Sequence, residues 1–139
     1  MEAVFRFPKR EARAAPGMNS LDATKASILF QLQALVAECA RSGWDANEAE
    51  PVSKCAAIRA ADFIRALPEG FSLPELAPEP DGSISLDWVR SRDWLLSLSV
   101  GASDRLPYAW VDGVGRGHAV VFFDGTNIPS DILERIKGS

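Results

Sequence analysis

Few side chains in this 139-residue chain are of a type and spacing that could do chemistry. The densest group lies in "SGWDANEAEPV", residues 42–52, where Asp45, Glu48 and Glu50 follow Trp44 between two helical patterns. Three carboxylates beside an indole wall could act as acid and base or hold a metal. The same residues also suit a helix stop followed by a helix start. The only histidine, His118, opens a strand-like run, so a nucleophile–base–orienter triad is hard to assemble. No Gly-x-Ser-x-Gly elbow accompanies it, and no zinc-ligand spacing surrounds it. Gly113, Gly115 and Gly117 alternate in "DGVGRGHAV", but a phosphate cradle needs a helix after it and here a strand follows. That stretch is expected to be a mobile hairpin loop. "PDG" (80–82) and "FDGTN" (123–127) are turn chemistry and too poor in acids for a calcium loop. No residue is expected to be catalytic, and no cofactor or metal is expected.

Hydrophobic periodicity supplies the elements that must position these groups. Residues 1–19 hold Pro8, Pro16 and Gly17 and keep no period, as in a flexible N-terminal arm. Residues 20–139 should form a single domain, the ordinary size for a chain of this length. A first helix is predicted over 21–41, capped by Asn19 or Ser20 and closed by Gly43; Leu21, Ile28, Leu32, Leu35, Val36 and Cys39 mark its face. A second is predicted over 54–67, with Ser53 as N-cap, Pro68 as its stop, and Ala57, Ile58, Ala61, Ile64 and Leu67 as its buried stripe; Phe63 falls at the edge. Residues 68–82, rich in proline, are expected to cross in extended form to a sheet. There the period becomes two, giving strands at "SISLDWV", "DWLLSLSV", "RLPYAWV" and "HAVVFF". "NIPSDILERIK" predicts a short C-terminal helix. The fold class is therefore α+β: two N-terminal helices on one face of a four-stranded antiparallel meander, with a short C-terminal helix.

Trp88, Trp94, Tyr108 and Trp110 share one parity on successive strands. They form either the core beneath the helices or an exposed platform of the kind that stacks single-stranded nucleic acid. The core assignment is preferred, because Leu86, Leu96, Leu98 and Leu106 share that parity. The opposite face, with Ser83, Ser85, Asp87, Ser97 and Ser99, should be solvated or covered by a partner. Cys39 and Cys55 are expected to be small buried thiols in a reducing cytoplasm, not a disulfide framework.

Two stretches, "GWDANEAEPVS" and "LPEGFSLPELAPEPDGSISLDW", carry a resemblance. Trp44, Asp45, Pro51, Ser53, Leu67, Pro68, Pro80, Asp81, Gly82 and Trp88 match a pattern of Trp-Asp-Gly-Tyr-Gly-Ala, a Pro-Val-Ser helix start, a Leu-Pro helix end and a Pro-Asp-Gly strand start. In this the chain resembles a widespread, uncharacterised family of small bacterial proteins. The chain departs from the pattern at residues 46–49 and at Asp87. The resemblance implies architecture and a bacterial or mobile-element setting, and assigns no activity.

Bulk charge narrows the function further. A net charge of −4 disfavours general nucleic-acid binding, which needs a basic face, and no apolar run is long enough to span a bilayer. The expected function is non-catalytic protein–protein interaction of the antitoxin, immunity or inhibitor type. Its partner would be a protein encoded nearby, and a homodimer is also allowed. The alternatives are a small-molecule or metal-dependent enzyme using Asp45, Glu48 and Glu50, and single-strand binding through the sheet aromatics. The contact candidates are Trp44, Asp45, Glu48 and Glu50 in the corner, with Asp87, Arg90 and Arg92 at the first hairpin.

Overall fold

The computed structural model describes residues 24–137. The expected arm over 1–19 and the caps expected at Asn19 and Ser20 lie outside them. Helix α1 spans Lys25–Glu38, and its N-cap is Thr24, whose hydroxyl accepts from Ser27 N at 3.2 Å. It closes at Cys39, short of the predicted Arg41. Gly43 is no helix cap but part of the following corner, where its N–H donates to Ala49 O at 2.7 Å. Helix α2 spans Lys54–Ala66, and Ser53 caps it as predicted, accepting from Ala56 N at 3.2 Å. From the start of α1, the Lys25 ammonium donates to the carbonyls of Arg65 and Leu67, so α1 satisfies the C-terminal end of α2.

Among the described residues the sheet has five strands, not four. β1 (Glu75–Pro78), β2 (Ile84–Ser91), β3 (Trp94–Val100), β4 (Arg105–Asp112) and β5 (Gly115–Phe122) follow one another in spatial order, all antiparallel. The added strand is β1, drawn from the segment expected to be a plain crossing. Prolines fit there because β1 is an edge, where a missing N–H need not break a ladder. Gly115 and Gly117, expected in a loop, lie within β5, and the β4–β5 turn is only Gly113-Val114. Helix α3 (Ser130–Lys137) ends the described chain.

The three helices of the described residues sit on one face of the sheet. α2 packs on β2 and β3, and α1 packs on α2 and β1; α3 lies over β3 and β4, where Arg135 covers Trp110. Leu86, Trp88, Leu96, Leu98, Leu106 and Tyr108 meet them, as their shared parity requires. Phe63 is the hub, with its ring edge-on to Trp88 at 6.2 Å and to Phe123 at 5.5 Å. The predicted stripe of α2 is rotated by one residue: Ala56, Ala60, Phe63, Ile64 and Leu67 are buried, while Ile58 is 62% exposed. Small alanines let the helix approach the sheet closely, and Phe63 fills the gap beyond them. Of the two thiols, Cys39 is buried but Cys55 is exposed, and both are free.

Candidate functional site

The corner loop is tied to its own backbone. Asp45 Oδ1 accepts from Asn47 N at 2.9 Å and from Ala49 N at 3.3 Å, closing an Asx turn around Ala46, which takes a positive φ of 65°. Trp44 is half-buried against the core, and its indole N–H donates to Glu50 O at 2.7 Å. Glu50 N in turn donates to Pro80 O, and Ser53 N donates to Gly82 O at 2.9 Å. Gly82 lies so close that a Cβ there would sit 3.0 Å from Pro51 O, and its φ is +92°. A side chain at position 82 would therefore be strained on both counts. The Trp-Asp and Pro-Asp-Gly segments thus meet as one structural seam joining the α1–α2 corner to the β1–β2 turn. The Glu48 and Glu50 side chains point from it into solvent.

The other candidates lie elsewhere. Asp87 is on the outer face of β2, where its Oδ1 accepts from Ser85 Oγ at 2.6 Å and from Ser97 Oγ at 2.7 Å. Beside them Ser99 Oγ donates to Glu79 Oε1 at 2.7 Å. This face was expected to be solvated or covered by a partner; within the chain Ser85 is already buried, and the hydroxyls bond to carboxylates and to each other. Arg90 faces the helix side, donating to Ser72 Oγ at 2.9 Å and to Ile136 O at 3.4 Å, with its guanidinium 5.3 Å from the Trp94 ring. It anchors the end of α3. Arg92 is exposed in the β2–β3 turn. The seven predicted contact residues are therefore not brought together: they occupy a corner, an outer face, a helix anchor and a turn.

Two features were not located by the residue-by-residue reading. The first is the edge of the sheet at β5, which no strand of the described residues covers. Phe123 N donates to Asp104 O at 2.9 Å, so the N–H of Phe123 points toward β4. Antiparallel ladders alternate, and the β4–β5 register is unbroken, so 117, 119 and 121 also bond to β4. Arg116, His118, Val120 and Phe122 therefore direct their N–H and C=O groups away from the sheet. Their side chains are exposed on the outer face, Phe122 at 60%.

The second feature is a cleft of about 500 Å³ between α3 and the β3–β4 end of the sheet. Trp94, Tyr108 and Trp110 form its walls, and Asp112, Asp131, Glu134 and Arg135 stand around it. Trp88 and Tyr108 are core, as preferred, whereas Trp94 and Trp110 are only half-buried because they wall this cleft. Trp110 packs closely against β5: a Cβ on Gly117 would sit 2.5 Å from its Cζ2. Tyr108 stacks on Trp110 with centroids 5.6 Å apart, and the Arg135 guanidinium lies 3.6 Å from the indole centroid. Among the described residues no three His, Cys, Asp or Glu side chains converge as a metal site would need.

No family model matches the chain, and no curated protein or solved structure matches it either.

Proposed function

We propose that this chain is a non-catalytic bacterial protein that acts by binding another protein, of the antitoxin, immunity or inhibitor type, with the partner added as a strand along β5. The bacterial setting rests on the resemblance carried by residues 42–100. The observation that carries the binding reading is the contrast between the two edges of the sheet. β1 is four residues long, follows Pro74 and ends in Pro78, so it is blunted as natural edges usually are. β5 is eight residues long, contains no proline, carries one formal charge at Arg116 and points outward four N–H groups that have no partner among the described residues. An edge with those properties is a template for strand addition, in which main-chain bonds supply affinity and alternate side chains supply specificity. Val120 and Phe122 would provide the apolar contacts.

The enzyme alternative loses its motive in the corner loop, where Asp45 already accepts two backbone N–H groups. The single-strand platform has its aromatics on the helix-covered side. Co-expression of the chain with the product of the adjacent gene, followed by affinity capture, tests the proposal. The native chain should retain a stoichiometric partner, as should Val120→Thr. Val120→Pro, which removes one outward N–H and leaves the β4 ladder whole, should lose most of it. Equal retention by Val120→Pro, or no stoichiometric partner at all, would contradict the proposal.

A further inference from the structure

We infer that the cleft beneath α3 is a binding site for an organic cation, either a guanidinium or a methylated ammonium. This is separate from the β5 edge and does not depend on it. Three aromatic rings wall the cleft, and their π faces attract cations that carry little hydration. Asp112, Asp131 and Glu134 stand at the same opening, and among the described residues none of them is in an ion pair. Against these three carboxylates the lining offers one cation, Arg135.

Arg135 shows how a ligand would sit. The six-membered part of the Trp110 indole packs against β5 at Gly117, Tyr108 stacks on it, and the Arg135 guanidinium lies 3.6 Å from the ring centroid. Arg135 is on the last turn of a short helix and reaches the ring by a flexible stem, so it can swing aside while α3 stays anchored through Ile132 and Ile136. It is a tethered stand-in for the ligand. With a ligand cation on Trp110 and Arg135 displaced to the rim, three carboxylates still outnumber two cations, so the exchange leaves no unbalanced positive charge. Arg90, the other arginine near these rings, is held by Ser72 and by the Ile136 carbonyl and remains outside the exchange.

Tryptophan fluorescence of the full chain, titrated with Nα-acetyl-arginine methylamide or with tetramethylammonium chloride, tests the inference at matched ionic strength against sodium chloride. A saturable change with at least one organic cation and none with sodium is expected; the stronger responder identifies the cation class. Arg135→Gln should tighten binding about fivefold, the scale of the competing cation–π contact it removes. Asp131→Asn combined with Glu134→Gln should weaken binding about tenfold, as expected for loss of two carboxylates near a partly desolvated cation. Circular-dichroism melts confirm that each variant folds. Equal responses to sodium and organic cations, or binding unchanged by Arg135→Gln in a folded chain, would overturn the inference.

Discussion

Burial pushes the Glu79 carboxyl above the ordinary carboxylate range; the charges of Asp81 and Asp87 add to the shift, and the hydrogen bond from Ser99 opposes it. A carboxyl that holds its proton more tightly folded than unfolded stabilises the fold at low pH. That contribution is lost as pH rises through its folded pKa. Asp124 behaves in the opposite sense: backbone N–H groups of Asn127 and Thr126 hold its pKa below the usual value, so its contribution is present at neutral pH and lost on acidification. The two contributions have opposite signs in the native protein, and a difference measurement isolates one of them. Glu79→Gln keeps an acceptor for Ser99 but removes the ionisation. Its melting temperature relative to the native chain should therefore rise as pH increases from about 4 upward, starting near the unperturbed glutamate value. A constant difference between pH 4 and 8 in calorimetry would contradict the assignment. At the same scale, Asp45 shows why an acidic loop need not be a site: its carboxylate already has two donors in its own turn.

The elements depend most on how α2 meets the sheet. Phe63 is fully buried and touches both Trp88 and Phe123, so Phe63→Ala should cost about 3–5 kcal/mol, measured by urea denaturation. A loss below about 1 kcal/mol would place the hub of the core elsewhere. The helices, their Ser53 cap and the hairpins were legible in sequence because each rests on local periodicity or local capping. The stripe of α2 was misplaced by one residue because hydrophobicity favours Ile58 over Ala56 and Ala60, whereas close helix–sheet packing favours the smaller side chains. β1 was missed because its period has only Leu76 and Ala77 to show between two prolines. The cleft was not legible at all: Trp94, Asp112 and Arg135 belong to three elements that only tertiary packing brings together. Likewise Arg90 gave no local sign that it anchors the far end of α3.

At the scale of the molecule, the three helices of the described residues lie on one side of the sheet, and among those residues nothing covers its other face or the long edge at β5. The face is not uniform. Its β2–β3 region is closed by hydroxyl–carboxylate bonds around Asp87 and Glu79, while its β5 margin exposes Val120 and Phe122. Exposed apolar side chains beside unpaired backbone are where a partner gains most, since burial and main-chain bonding act together. Among the described residues no helix is long and apolar enough to cross a membrane. The same edge would also accept a second copy of the chain, and residue-level amide hydrogen exchange tells these cases apart. In the isolated protein the amides of Arg116, His118, Val120 and Phe122 should exchange fast, while those of Gly117, Ala119 and Val121 are protected by β4. Protection of the outward four that grows with protein concentration would identify a second copy as the occupant. In a complex recovered by co-purification, the outward four should become protected as a set. Outward amides that still exchange fast in that complex would contradict strand addition at β5.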